Sequence, residues 1–231
     1  AAAAVGDAFA QVADHAAATG RGGVDYAVER CDPIGSRLGV ASPLDALAPA
    51  SRVYDRFRAA VLDRRPDAGA CCHLLLWWGP LDYEIGYGRM LPGTSHAARN
   101  GDAGALTVAN VGATEFWDDR SVTRNMAIHE TLHAFCSSTI AASVVDSRCD
   151  HDLGAAVETE PGVRDVSPMA TAYAGPARFG GGTRWHGRGC YDHDAFSRHD
   201  GTEGVEEWRY TTSLSDATLE AVTRYAESHL V

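Results

Sequence analysis

Polar and apolar residues alternate through Val24-Asp25-Tyr26-Ala27-Val28-Glu29-Arg30-Cys31, a period of two that predicts a β-strand. The alanine-rich residues 1–18 before it suit a helix or a frayed tail. A connection rich in Pro, Gly and Ser runs from Asp32 to about residue 50, and then the period changes. Val53, Phe57, Ala60, Val61 and Leu62 fall at helical spacing, with Ser51 placed to cap the helix and Pro66 to stop it. Residues 71–78, Cys-Cys-His-Leu-Leu-Leu-Trp-Trp, form a nearly continuous apolar run closed by Gly79-Pro80, which predicts a buried central strand. Residues 85–90 and 105–111 predict two more strands across a polar loop holding Gly93, Asn100 and Gly101.

Further on, Ile128, Leu132 and Phe135 form the apolar stripe of a helix capped by Asp119 or Ser121, which leaves Met126, His129 and His133 facing a cleft. The chain beyond His133 is loop-rich, and residues 175–204, dense in Gly, Arg, His and Asp, predict irregular structure. A closing helix follows, with Ser215 as N-cap, Asp216 in the first turn, and Leu219, Val222 and Tyr225 as its buried stripe. There is no internal repeat, linker or boundary. The pattern predicts one α+β domain over residues 1–231: a sheet-and-helix lobe at about 20–135, with two helices on a twisted mixed sheet, and an irregular lobe at about 136–231 that ends in a helix.

Composition narrows the functional classes. The 31 acidic residues outnumber the 20 basic ones for a net charge of -11, which argues against nucleic acid and anionic membranes as partners. All 20 basic residues are arginine, a bias that points to GC-rich coding or to life in strong salt. No run reaches the roughly 18 apolar residues that span a bilayer. Asp7, Asp14 and His15 interrupt the N-terminal stretch, so it reads as the start of a processed mature protein rather than a signal core. Six cysteines, at 31, 71, 72, 136, 149 and 190, are an even count that suits a secreted, extracellular protein with disulfide bonds.

The chemistry concentrates at His129-Glu130-Thr131-Leu132-His133, an H-E-x-x-H pattern. On a helix the four-residue spacing puts both imidazoles on one face, a turn apart, where they can bind one zinc ion with Glu130 beside it as general base. A catalytic zinc takes a third protein ligand, and Cys149-Asp150-His151-Asp152 offers it. His151 is the preferred donor, with Asp150 or Asp152 to orient its second nitrogen; Asp150 and Glu158 are the competing ligands. His186, His193 and His199, with Asp192, Asp194 and Asp200, could hold a structural Ca2+, although their spacing fits a solvated acidic loop better.

With Ser167-Pro168-Met169-Ala170 and Tyr173 downstream, residues 104–228 resemble the metzincin clan of zinc peptidases, in which H-E-x-x-H is followed by a third ligand and a tight methionine-containing turn beneath the metal. The resemblance implies a metzincin-like mixed sheet with an active-site helix, Met169 as the turn methionine, and Tyr173 near the zinc. It departs at Cys136 and Thr139, where the clan places a glycine and the third ligand, so the third ligand arrives here after an insertion. A Cys136–Cys149 disulfide would pin that insertion to the motif helix. Cys71 and Cys72, pointing to opposite faces of a strand, would pair with Cys31 and Cys190. The implied function is a secreted zinc endopeptidase with a protein or peptide substrate. Glu130 would be the base, Tyr173 would stabilise the oxyanion, and an edge strand at 105–111 would bind the extended substrate. The alternatives are a zinc hydrolase of non-peptide or narrow substrate, and a secreted binding module with a vestigial metal site, which an intact Glu130 argues against.

Overall fold

In a computed structural model, residues 1–34, 50–64, 71–78, 88–91, 96, 104–111, 120–170, 172–176, 183–187, 196–201 and 203–230 are described. The alanine-rich start forms helix α1 (Ala2–Ala18), burying Ala4, Val5, Ala8, Val12 and Ala16 along one stripe. Full burial of each valine contributes about 1.5–3 kcal/mol. Residues 24–31 do not form the expected strand. The segment instead carries no regular structure and is mostly exposed, with the Tyr26 ring 5.8 Å from Phe9 of α1. Helix α2 (Ala50–Arg64) starts one residue before Ser51, and buries Val53, Phe57 and Val61 while leaving Leu62 exposed.

Strands β1 (Cys72–Trp77), β2 (Gly88–Met90) and β3 (Ala105–Asn110) form a mixed sheet in the order β1-β3-β2. β1 runs parallel to β3 from Cys72↔Ala105 to Trp77↔Asn110, and β2 runs antiparallel to it through Gly88↔Ala109. The central strand is therefore β3, buried at all six positions, and not β1, whose Leu76 is 37% exposed. The apolar run of β1 has another cause: Leu75 and Trp77 pack toward α2, while Cys72 and Leu74 pack toward the main core on the opposite face.

That main core is organised by helix α3 (Arg120–Leu132), which packs against α1 on one side. Helix α4 (Ser138–Val145) follows, in a stretch read as loop; Ser137 caps it by accepting from Ile140 N, and Asp146 ends it in a left-handed conformation (φ 55°). One 3-10 turn, Asp150–Leu153, leads to β4 (Ala155–Glu160) and β5 (Val163–Val166). The C-terminal region is more regular than its composition suggests, with β6 (Ala172–Pro176), β7 (Thr183–Gly187), β8 (Arg198–His199) and β9 (Glu207–Tyr210). A second mixed sheet has the order β8-β4-β5-β9, and β6 and β7 pair antiparallel. These strands are short, which hides their period behind the Gly and Arg content. Met126 joins Ala156, Val166, Phe196 and Tyr210 in a core beneath the second sheet, rather than facing a cleft. The closing helix α5 (Asp216–His229) forms with Ser215 accepting from Thr218 N, and of its expected stripe Val222 and Tyr225 are buried while Leu219 is half-buried. The described residues thus comprise five α-helices and two small mixed sheets, an α+β arrangement. No described helix is long and apolar enough to cross a membrane.

The expected disulfides differ. Cys136 is a free thiol, 1% exposed in the core, so it does not bridge to Cys149. Cys149 is disulfide-bonded to a partner outside the described residues. Cys31, Cys71 and Cys72 are also free. Just before β1, Cys71 turns toward His73 (Sγ to Nε2, 3.3 Å), and at its first residue Cys72 turns inward toward Thr107 (3.6 Å).

An ionic clamp joins α1 to α5. Glu220 accepts from Arg21 and Arg224, each at 2.6 Å, with His15 at 3.4 Å. Partial burial opposes the Glu220 charge, but these hydrogen bonds outweigh it and lower the carboxyl from 4.5 to about 2. A folded pKa below the unfolded one means that the clamp acts fully above about pH 4.5 and is lost as pH falls toward 2. Thermal melts across this window should show the wild-type midpoint falling with acid; Glu220→Gln should start lower at neutral pH and fall less steeply. Parallel curves for the two proteins would remove the clamp from the acid response.

Candidate metal centre

Because α3 lies between the two sheets, every residue from Asn125 to Leu132 is buried, including four polar ones. Buried polar groups need partners. Asn125 Nδ2 donates to the carbonyls of Val166 (3.1 Å) and Thr211 (2.8 Å), and Thr131 Oγ1 donates to Ala127 O (2.7 Å). His129 Nδ1 donates to Pro168 O at 2.6 Å. Glu130, 3% exposed, has an Oε2 atom with no hydrogen-bond partner among the described residues.

Three imidazoles converge. His133 continues the helical turn, with its N–H on His129 O (3.2 Å), and its Nε2 lies 2.9 Å from His129 Nε2. From the 3-10 turn, His151 Nε2 lies 3.3 Å from His133 Nε2. A tetrahedral ion with Zn–N bonds of about 2.0–2.1 Å separates its ligand nitrogens by about 3.3–3.4 Å, so the three ring nitrogens stand close to the spacing of one metal's ligands. His129, His133 and His151 are thus a group that could hold a metal ion.

The outer contacts fix which nitrogens face inward. Pro168 O can only accept, so His129 carries its proton on Nδ1 and turns the Nε2 lone pair to the centre. His133 Nδ1 donates to Asp150 Oδ2 at 2.6 Å, which aims its Nε2 the same way. Burial, followed by the neighbouring His133 and His151, holds His129 well below the usual histidine value. Burial and then His133 likewise hold His151 down at about 4. Burial opposes charge on His133 too, but the Asp150 carboxylate and its hydrogen bond, with Glu130, lift it to about 9. Burial would raise Asp150, yet the charge and hydrogen bond of His133 keep its carboxyl well below the ordinary range. The centre therefore calls for one positive charge shared among the nitrogens, which a proton on His133 or a metal ion supplies.

Glu130 reaches away from the helix over β2. A Cβ at Gly88 would stand 2.5 Å from Glu130 Cγ and 2.6 Å from Val108 O, so the absence of a side chain at Gly88 makes the slot for this carboxyl. Burial raises Glu130 to about 7 against the pull of His133 and Arg89, and its unpartnered oxygen is free to take or give a proton.

The turn at residues 167–170 closes with Ala170 N on Ser167 O (3.1 Å), and Met169 is fully buried. Tyr173 lies on β6, paired with His186 on β7; its side chain lies outside the described residues. Asp150 orients His133, not His151 as expected, and Asp152 is instead hydrogen-bonded by Ser147 Oγ. Glu158 pairs with Arg164 (2.6 Å) on the second sheet. Of the proposed calcium residues, Asp200 accepts from Glu158 N (2.8 Å) and Arg198, His199 accepts from Gly201 N (3.0 Å), and 192–194 lie outside the described residues. The segment expected to be an edge strand is the central β3; the edge beside Glu130 is β2. Sequence reasoning missed Gly88, which no local pattern marks, and the Pro168 carbonyl, whose only signal is its place before Met169.

No protein-family model matches the chain, and neither a curated protein nor a solved structure matches it.

Asp150→Asn removes the carboxylate that aims His133 while keeping its shape. Zinc competition against a chelator should show affinity reduced about 10–100-fold; an unchanged value would make the contact irrelevant to metal binding. At Gly154 an added Cβ would fall 2.0 Å from Ala170 N, where the His151 turn meets the Met169 turn. Gly154→Ala should therefore cost about 1–3 kcal/mol or more, read by denaturant unfolding.

Proposed function

We propose that this chain is a secreted zinc endopeptidase of metzincin-like design, with His129, His133 and His151 as the ligands. One observation carries the reading: three imidazoles converge through their ring nitrogens, and the residue next to His129 on the helix, Glu130, is a buried carboxyl with an unpartnered oxygen that interacts electrostatically with His133. Three imidazoles suit zinc among the borderline metals, and a three-ligand set is that of catalytic rather than structural zinc. The tight turn around Met169, joined to His129 through Pro168 O, supports the metzincin resemblance. Helix α4 accounts for the long spacing to the third ligand. The disulfide at Cys149 supports an oxidising, extracellular destination.

The chemistry supplied by zinc at this position is Lewis-acid polarisation of a peptide carbonyl and acidification of water toward a pKa of about 7. Glu130, raised to about 7, accepts the water proton on its carboxylate and returns it to the leaving amine nitrogen. Asp150 and Pro168 O hold the imidazoles of His133 and His129 in the orientation they need. Extended substrate pairs with β2, the edge strand whose Gly88 touches Glu130. Tyr173 is assigned to the developing charge on the carbonyl oxygen on the resemblance alone.

The test combines metal analysis with digestion of unfolded casein, before and after chelation and zinc restoration. One zinc per chain, with cleavage lost and regained, is the expected result. Glu130→Gln should keep the zinc and lose about 10²–10⁴-fold in rate. Zinc without cleavage of any protein or peptide would redirect the reading to a non-peptide or very narrow hydrolase; a chain that takes up no metal would overturn it.

A further inference from the structure

We propose that Ser215 and Thr218, at the start of α5, are positioning residues for the third metal ligand, His151; the inference rests on the metal-site reading above. Both hydroxyls converge on one atom, the carbonyl oxygen of Leu153. Ser215 Oγ donates to it, Thr218 Oγ1 donates at 3.0 Å, and the two hydroxyls are 2.8 Å apart. Leu153 closes the single 3-10 turn that carries His151. Such a turn has poor internal hydrogen bonding and takes its orientation from outside. Inside it, Gly154 N donates to His151 O (2.9 Å), so fixing the Leu153–Gly154 peptide fixes the backbone of His151.

The residue types exceed what the helix needs. Capping α5 uses only the lone pair of Ser215 that accepts from Thr218 N at 3.1 Å, and aspartate would serve equally as a cap. Beyond the cap, the hydroxyls of Ser215 and of Thr218, which is 0% exposed, reach the Leu153 carbonyl of the ligand turn and each other. The base from which they act is firm, since Ala221, Val222 and Tyr225 anchor α5 in the main core. Ser197 holds the turn from the other side, through Oγ to Gly154 O and its N–H to Asp152 O, each at 2.7 Å.

The test uses the full chain loaded with cobalt(II), whose visible bands report ligand geometry. Thr218→Val keeps the shape and removes the hydroxyl; Ser215→Asp keeps the cap and removes the donor. Each should weaken cobalt binding about tenfold or more in chelator competition and shift the bands. Thr218→Ser should restore both, and Glu220→Gln, which loosens α5 away from the turn, should alter neither. Wild-type affinity and bands in folded Thr218→Val and Ser215→Asp would overturn the proposal. Hydrogen exchange on the wild-type chain serves where a variant does not fold: on cobalt loading, the amides of Leu153, Gly154 and Thr218 should slow together, and slowing confined to the turn would overturn the proposal. A wild-type chain that binds no metal overturns the metal reading and this inference with it, whereas metal binding indifferent to the hydroxyls overturns the inference alone.

Discussion

Two ring nitrogens held 2.9 Å apart, each tied at its far side to an acceptor, cannot both present bare lone pairs to each other without a positive charge. The rest of the molecule is arranged around that constraint. The acceptor for His129 belongs to the turn at 167–170, and the acceptor for His133 belongs to the turn at 150–153. Those turns interlock where Gly154 meets Ala170 with no space for a side chain. Two segments distant from α3 in sequence are thus keyed to it and to each other, and the second sheet, which follows directly from the ligand turn, takes its place from the same junction.

Burial sets the electrostatics of this centre more than any single charge does. It pushes His129 and His151 toward neutrality, and it keeps Glu130 near 7. His133 and Asp150, paired at 2.6 Å, are each pulled the other way by their partner. The same low-dielectric surroundings make an unpartnered Glu130 oxygen costly, on the order of 1–3 kcal/mol or more. A group kept at such a cost in the interior of α3 is where chemistry is expected, because packing alone would be served better by an apolar residue.

What could be read from sequence divides by distance along the chain. The meeting of His129 with His133 needs only helical spacing, and the cap at Ser215 needs only its own hydroxyl and the amide three residues on. His151 was reached through ligand chemistry, without any local period. The role of Asp150 was misread, since whether a carboxylate orients the histidine beside it or one 17 residues away is settled by tertiary folding. The apolar run of β1 suited a central strand and an edge strand covered on both faces equally well. Helix α4 lies in a stretch that the sequence pattern presents as loop-rich; Ile140, Val144 and Val145 are β-branched and weak helix formers, and the Ser137 cap and packing against α5 make the helix. Alternation at 24–31 promised a strand, but a period of two needs a neighbouring strand to become a sheet.

The 18-residue separation of His133 and His151, which holds α4, would also determine when such a centre could capture an ion during folding. In an unfolded chain only His129 and His133 are near neighbours, a weak pair of donors. Bringing in His151, 18 residues beyond His133, costs about 2.6 kcal/mol in loop-closure entropy before any contact offsets it. The three imidazoles thus come together only once α4, the turn at 150–153 and α5 have assembled. An ion that binds the finished fold and scarcely binds the open chain stabilises the fold by mass action, so for a chain that takes up metal at this centre the availability of the ion would become a term in whether it stays folded.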